Sequence, residues 1–366
     1  MKKEVCIDAR MLLHGGIGTY IRNLLPGLNA AFRLKLIVHQ DVVEKENWLQ
    51  QYDLIFSSAG IYSIREQIEL PLRIPRVDLF FSPHYNIPLA PIRAKRRIVT
   101  IHDVFHLAFG SHLQWHERTY AKQIIQQAVR RSHAIITDST FSASEICKYT
   151  HAAAHKITPI HLAVDRNLFQ PVANQDLIAK IVRKFHLPKR YFLFVGNLKP
   201  HKNLRNLLLA LKENAHWQLV IIGKSQGMKN VDSGIAAYEK LPELHGKVHW
   251  HPTVPNDELS VIYQHAEALV LPSYYEGFGL PPLEAMSCGC PVIVSKAASL
   301  PEVCSSAALY VTPENPADIA SAMKNVTENP ELKQKLVQEG YTNLTRFDWG
   351  KTVEKHIELF EKVCQF

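Results

Sequence analysis

Two successive series of short apolar segments, each alternating with helical patterns, constrain this chain more than any other feature of its sequence. In the first half the strand candidates are Val5–Ala9, Leu34–Val38, Asp53–Ser57, Asp78–Ser82, Ile98–His102 and Ala134–Thr137. In the second they are Tyr191–Val195, Gln218–Ile222, Val248–His251, Ala268–Leu271, Pro291–Val294 and Ala308–Val311. Short runs rich in Val, Ile and Leu, separated by helices, are the pattern of parallel strands covered by helices on both faces. Because the pattern restarts, and because 366 residues exceed what a single core usually serves, the expectation is an α/β chain with two doubly wound parallel sheets. The boundaries read as residues 1–170 for the first domain, 171–187 for a polar linker after Asp165–Pro171, 188–345 for the second domain and 346–366 for a closing helix. That helix has Val353, Ile357, Phe360 and Val363 on one face, so it must pack on something.

Sites in open parallel sheets lie beyond the carboxyl ends of the strands. Gly15–Gly18, His102, the Gly196–Lys202 loop and Glu276 all follow strand candidates, and are expected to point into one cleft between the two domains. The richest of these segments is Tyr275-Glu276-Gly277-Phe278-Gly279-Leu280-Pro281-Pro282-Leu283-Glu284-Ala285. Pro281 or Pro282 fits the first turn of a helix, where a missing N–H costs nothing. The N–H groups of Phe278, Gly279 and Leu280 would then face a helix N-terminus that favours an anion, and Gly277 and Gly279 let the backbone come close to it. Glu276 and Glu284 flank that turn and can accept hydrogen bonds from hydroxyls. A diphosphate beside a polyol means a nucleotide sugar.

This segment, with Cys288-Gly289-Cys290-Pro291-Val292-Ile293-Val294-Ser295 after it, resembles the donor-binding signature of the retaining family-four glycosyltransferases of the GT-B fold, in which two Rossmann-like domains face a cleft. The resemblance extends through Gly15-Gly16-Ile17-Gly18, Thr100-Ile101-His102-Asp103, Val195-Gly196-Asn197-Leu198-Lys199-Pro200-His201-Lys202-Asn203 and Phe347-Asp348-Trp349. It implies that Glu276 holds hydroxyls of the transferred sugar, that Glu284 holds the ribose, and that Lys202 contacts the diphosphate. It further implies that the loop of Gly16 and Gly18 approaches the diphosphate, that Gly277, Phe278, Gly279 and Leu280 line the donor, and that His102 lies beside the sugar. Asn197 stands where many members have an arginine, and His201 where a close subgroup has one, which leaves Lys202, with Lys199 and His201 as substitutes, to supply positive charge. Pro252 stands where a glycine is common, so the nucleobase site does not transfer. The Gly196–Asn203 stretch and the run from Arg65-Glu66-Gln67 to Pro71 look most like polysaccharide mannosyltransferases, which makes GDP-mannose the favoured donor and a glycan or lipid-linked hydroxyl the acceptor.

Composition bounds the alternatives. No apolar run approaches the roughly 18 residues of a membrane span, and Met1-Lys2-Lys3-Glu4 leads straight into a strand pattern without a signal-peptide core, so a cytoplasmic location is expected. Six cysteines, at positions 6, 147, 288, 290, 304 and 364, have no paired zinc or redox spacing and read as reduced, buried residues. Residues 1–170 hold 21 Lys/Arg against 14 Asp/Glu, a difference of +7, while residues 171–366 hold 21 against 20, or +1. The cluster Arg73, Arg76, Arg93, Lys95, Arg96, Arg97 and the helical set Arg118, Lys122, Arg130, Arg131 therefore read either as a solvated face or as a patch for an anionic membrane surface on which the protein is peripheral. Interleaved aromatic platforms for nucleic acid are not evident, and no nucleic-acid partner is expected. Ile21 takes the place of the third glycine after Gly16 and Gly18, against a nicotinamide enzyme. An epimerase or phosphorylase of the same fold is the alternative enzyme. The histidine pairs His102/His106, His112/His116 and His249/His251 show no third ligand at a recognisable spacing, and there is no Asp-x-Asp pair, so neither metal nor other cofactor is expected. Activity should accordingly survive excess chelator; a loss that magnesium or manganese restores would refute the metal-free reading.

Overall fold

The computed structural model describes residues 2–109, 115–223 and 241–365. They form two compact units, one of Met1–Leu162 with Trp349–Phe366 and one of Ala163–Asp348. In the first unit the strands are β1 (Glu4–Asp8), β2 (Arg33–Val38), β3 (Asp53–Phe56), β4 (Val77–Ser82), β5 (Ala94–Thr100), β6 (Ala134–Thr137) and β7 (Ile157–Pro159), in the order β3-β2-β1-β4-β5-β6-β7. Every pairing is parallel; Val5, for example, sits opposite Leu34 on one side and Leu79 on the other. The order reverses between β1 and β4, and a sheet wound this way leaves a gap beyond the carboxyl ends of the two strands where the connections diverge.

The second unit repeats the arrangement. Its strands are β8 (Phe192–Val195), β9 (Leu219–Ile222), β10 (Val248–His251), β11 (Ala268–Leu271), β12 (Val292–Ser295) and β13 (Leu309–Val311), parallel throughout and ordered β10-β9-β8-β11-β12-β13. The reversal falls between β8 and β11. The strands β9, β11 and β12 are buried at every position, which explains their uninterrupted apolar composition. Strand β7 escapes sequence reading because it is three residues long and ends in Pro159, a residue tolerated there because β7 is an edge strand.

Residues 171–187, read as a linker with a polar helical segment, do hold a helix, Gln175–Lys184, but it belongs to the second unit. Asn174 caps it by accepting the Leu177 N–H, and Ile178 and Ile181 are its buried side. Two anchors in ten residues leave most of the segment polar, so composition alone conceals its attachment.

The final helix, Trp349–Gln365, belongs to the first unit, where Phe360 packs its ring 5.0 Å from Phe81 and 5.8 Å from Phe32. Its buried line is Thr352, His356 and Phe360, with Val353 and Ile357 beside it only half-buried, so the centre of the stripe is polar. His356 is fully buried, and its Nδ1 lies 2.7 Å from the Thr352 carbonyl, which can only accept. Nε2 must then accept from the Tyr20 hydroxyl at 2.6 Å, and the Tyr20 oxygen in turn accepts from Thr100 Oγ1 at 2.9 Å. This chain of bonds needs a neutral imidazole, and burial pushes the His356 pKa down to about 4.

A histidine depressed in the folded state contributes stability that is complete above its unfolded value near 6.5 and is lost as pH falls toward 4, because the unfolded chain binds the proton first. The loss should reach about 3 kcal/mol, from 1.36 kcal/mol per pH unit. In His356→Gln, whose amide can accept from Tyr20, the fall in melting temperature between those pH values should be visibly shallower than in the wild type. Parallel curves would show that another group controls acid stability.

Candidate active site

At the reversal point of the second sheet, the loop after β8 and the loop after β11 bring opposite charges together. Lys202, at the end of a short 3-10 turn Pro200–Lys202, places Nζ 2.7 Å from Glu276 Oε1 and 2.6 Å from Oε2. Both side chains are largely shielded, at 16% and 9% exposure. Ser273 Oγ donates to Glu276 Oε1 at 2.7 Å, and the Ser273 carbonyl accepts from Ser295 Oγ at the end of β12. Asn203 holds the two loops in register. It takes the left-handed conformation at φ 57, and its Nδ2 donates to the carbonyls of Pro272, at 2.9 Å, and Pro313, at 2.7 Å. The Tyr274 N–H donates to the His201 carbonyl at 2.8 Å. His201 is buried, whereas Asn197, which stands where the arginine is missing, is exposed.

The helix expected after the glycine turn is Leu280–Ser287, with Pro281 in its first turn and Gly279 as its uncapped N-terminal residue. Gly279 has φ 104, and a Cβ there would meet Leu300 Cδ2 at 3.0 Å, so both conformation and space select glycine. Ser299 Oγ donates to the carbonyls of Glu276, at 2.9 Å, and Phe278, at 2.8 Å, pinning the turn that contains Gly277. The Phe278 ring is buried 5.8 Å from Phe347 and serves the core of the unit. Further along the helix, half-buried Glu284 accepts from the Tyr263 hydroxyl at 2.8 Å. Burial pushes its pKa up to about 7, although the Tyr263 bond opposes the shift.

In the first unit, Gly16 and Gly18 lie inside the first turn of helix Gly15–Ala31, whose N-terminus has no side-chain cap. Gly18 is sterically required: a Cβ would stand 2.2 Å from the Leu12 carbonyl oxygen. His102 follows β5, but both of its nitrogens serve the protein, Nδ1 at 2.7 Å from Asp138 Oδ2 and Nε2 at 3.0 Å from the Pro83 carbonyl. Burial alone would lower its pKa; the Asp138 carboxylate overrides this and holds it above the ordinary value. As placed, neither nitrogen is available to a sugar without exchanging a partner.

The gap between β1 and β4 holds an ionic network that sequence reading misses. Arg10 donates through Nε to Asp8 Oδ1 at 2.8 Å, through Nη2 to Asp8 Oδ2 at 2.7 Å and to Glu66, and through Nη1 to the Ala59 carbonyl at 3.2 Å. His84 and Asn86 complete it, and all five side chains are buried. Burial would raise the Asp8 pKa, but the adjoining Arg10 guanidinium holds it well below the usual range. Signals exist in the sequence: Asp8 and Arg10 interrupt an apolar strand end, and Asp138 follows β6 directly.

Among the described residues, no group of three or more His, Cys, Asp or Glu side chains is placed so that it could hold a metal ion. His106 packs its ring on Tyr85, His249 bonds Gln218, and His251 packs on Phe185. His112 and the His116 side chain lie outside the described residues. The cysteines are free, and burial pushes the thiols of Cys288, Cys290 and Cys304 up to about 12. The basic cluster is smaller than its composition suggests. Arg97 is buried, donating to the Pro88 carbonyl at 2.9 Å, and Lys95 is paired with Asp78 at 2.8 Å.

Two parallel-sheet α/β units, each with opposite charges meeting at its reversal point, have the architecture of the GT-B fold. The family model Glycosyltransferase Family 4 matches residues 14–168, and the model Glycosyl transferases group 1 matches residues 178–343; the chain belongs to these glycosyltransferases and is an enzyme of that class. It is 27% identical over 292 residues to O-antigen chain mannosyltransferase B of Escherichia coli, covering 77% of this chain and 74% of that one. It is 28% identical over 273 residues to O-antigen chain mannosyltransferase RfbU of Salmonella typhimurium, covering 74% and 71%. Among solved structures, Anabaena HepE in complex with UDP-glucose superposes with a TM-score of 0.81 at 15% identity, covering 98% of this chain and 100% of that one. Sucrose-phosphate synthase from Thermosynechococcus elongatus gives 0.79 at 19%, covering 99% of both. These structural likenesses establish the fold.

The Asn203 bonds can be tested separately from its backbone conformation. Asn203→Gly keeps the left-handed φ but deprives two carbonyls of a donor, and should lower stability by about 2 kcal/mol. Asn203→Ala adds backbone strain and should cost about 1 kcal/mol more. Unfolding curves placing Asn203→Gly at wild-type stability would show that the two bonds contribute nothing.

Proposed function

We propose that this glycosyltransferase moves mannose from GDP-mannose, with retention of configuration, to a hydroxyl of a glycan or lipid-linked acceptor, with the donor bound by the Ala163–Asp348 unit. The observation supporting this most directly is the Lys202–Glu276 pair at the reversal point of β8 and β11, propped by Ser273 and followed by an uncapped helix N-terminus. Support for mannose comes from the relatives, which are named as O-antigen mannosyltransferases.

In this reading the donor diphosphate takes over Lys202 and the N–H groups at the start of helix Leu280–Ser287, both of which stabilise negative charge. Glu276, released from the lysine yet still held by Ser273, accepts hydrogen bonds from hydroxyls of the sugar and orients its reacting carbon. Glu284 binds the ribose. The bond between the anomeric carbon and the diphosphate oxygen breaks, the acceptor oxygen bonds to that carbon from the same face, and the acceptor proton passes to the leaving phosphate oxygen. Charge developing on the diphosphate is met by groups already in place, so little reorganisation is needed during the reaction. His102, tied to Asp138 and Pro83, shapes the end of β5 in the first unit.

Two measurements test this. Glu276→Gln should lower turnover by about 10²-fold or more while nearly preserving nucleotide affinity, whereas Glu284→Ala should mainly weaken donor binding. Full turnover in the Glu276 variant would remove it from the reaction. In a thermal-shift comparison of GDP, UDP, ADP and dTDP sugars, GDP-mannose should raise the melting temperature most; a larger shift with UDP-glucose would replace the donor, and consumption of donor without any acceptor would favour an epimerase.

A further inference from the structure

The helix Ile64–Arg73 presents its apolar side outward. Ile64, Ile68 and Leu72 are 85%, 64% and 70% exposed, and their spacing of four residues places them in one row. The side turned into the protein instead holds Glu66 and Leu70, both fully buried. A surface helix normally shows the reverse. The cause is on the inner side: Ser63 caps the helix by accepting the Glu66 N–H, and the Glu66 carboxylate is fixed by Arg10, by Asn86 Nδ2 and by the Tyr62 N–H at 2.8 Å. Rotating the helix to hide the aliphatic row would strip a buried carboxylate of these partners, so the row is held facing away from the protein.

The exposed charges bordering the row are arginines, and the one carboxylate among them, Glu69, is largely covered. Arg65 and Arg73, with side chains 67% and 53% exposed, share Glu69, which is itself only 13% exposed and also accepts the Ser58 N–H. Arg76 follows the helix and is exposed, as is Arg93. The neighbouring Ile92 packs with Ile74 and Leu70, which brings Arg93 to the C-terminal end of the helix. Exposed aliphatic side chains in a row, rimmed by arginines, match a bilayer interface with anionic headgroups better than they match water or a neutral protein surface. Among the described residues no helix is long and apolar enough to cross a membrane, so such attachment is peripheral.

We propose that the outer face of helix Ile64–Arg73 docks on an anionic lipid bilayer, with Ile64, Ile68 and Leu72 entering the boundary between headgroups and acyl chains while Arg65, Arg73 and Arg76 meet lipid phosphates. This differs from attachment by charge alone, which salt would abolish. Insertion of three aliphatic side chains leaves a salt-resistant component.

The wild-type protein should sediment with vesicles of phosphatidylcholine and phosphatidylglycerol, bind far less to phosphatidylcholine alone, and retain part of its binding in high salt. The combined substitution Ile64→Ser, Ile68→Ser, Leu72→Ser should lower the partition coefficient about a hundredfold without lowering the melting temperature, since the replaced side chains touch little protein. Three outcomes would overturn the proposal: wild-type protein left in the supernatant at low salt, a triple variant that binds as the wild type does, or light scattering that shows a wild-type dimer and a monomeric variant, which would make the row a subunit contact. Sedimentation requires neither donor nor acceptor, so failure here leaves the transfer reaction untouched, and failure of the transfer reading leaves this result standing.

Discussion

The reversal of strand order beside β8 is the constraint on which the meeting of Lys202 and Glu276 depends. Parallel strands must send their connections over the faces of the sheet, and only where successive crossovers turn in opposite directions do the loops part. Lys202 and Glu276 stand on the two loops that part there, and they attract each other strongly because the loops shield them from water. The same reversal exists between β1 and β4, yet the outcome differs. There Arg10 is surrounded by Asp8, Glu66 and the Ala59 carbonyl with no exposure, so its donors are spent on the fold. At β8 and β11 a single lysine faces a single carboxylate, which the Ser273 hydroxyl also holds. Similar topology thus yields a network of five buried side chains in one unit and a two-residue ion pair in the other.

Much of this is legible in the amino-acid sequence. Strands such as β9, β11 and β12 are readable because burial on both faces leaves an apolar run with no alternation to blur it, and Glu276, Glu284 and the glycines between them form a pattern whose chemistry is local. What supports them is not readable. Ser273, Ser295 and Ser299 act on backbone carbonyls or on a neighbouring carboxylate, and a serine beyond a strand is too ordinary to announce such a bond. His356 is hidden for another reason. A line of Val353, Ile357, Phe360 and Val363 suggests a purely apolar face, whereas the helix is seated one residue around, on a histidine bonded to Tyr20.

Surface chemistry is the least legible. Counting basic residues places Arg97 and Lys95 on a cationic patch, but one is buried against a carbonyl and the other is neutralised by Asp78. The row Ile64, Ile68, Leu72 has the spacing by which core-facing helices are recognised, and periodicity by itself would turn it inward. Only the placement of Glu66 decides the matter, and that depends on Arg10, 56 residues away in the chain. Long-range polar contacts can invert the orientation that local periodicity implies.

The two carboxylates of the glycine turn show how environment separates identical chemistry. Glu276 has a cation against it, which keeps its charge compensated despite burial. Among the described residues Glu284 meets the neutral Tyr263 hydroxyl, and burial brings its pKa to about 7. On the proposed reading, a diphosphate bound at the nearby helix terminus would repel a second fixed negative charge, so a carboxyl whose pKa burial has already raised disturbs it less. Among the described residues, a lysine against one carboxylate and a neutral hydroxyl against the other is what sets the two apart.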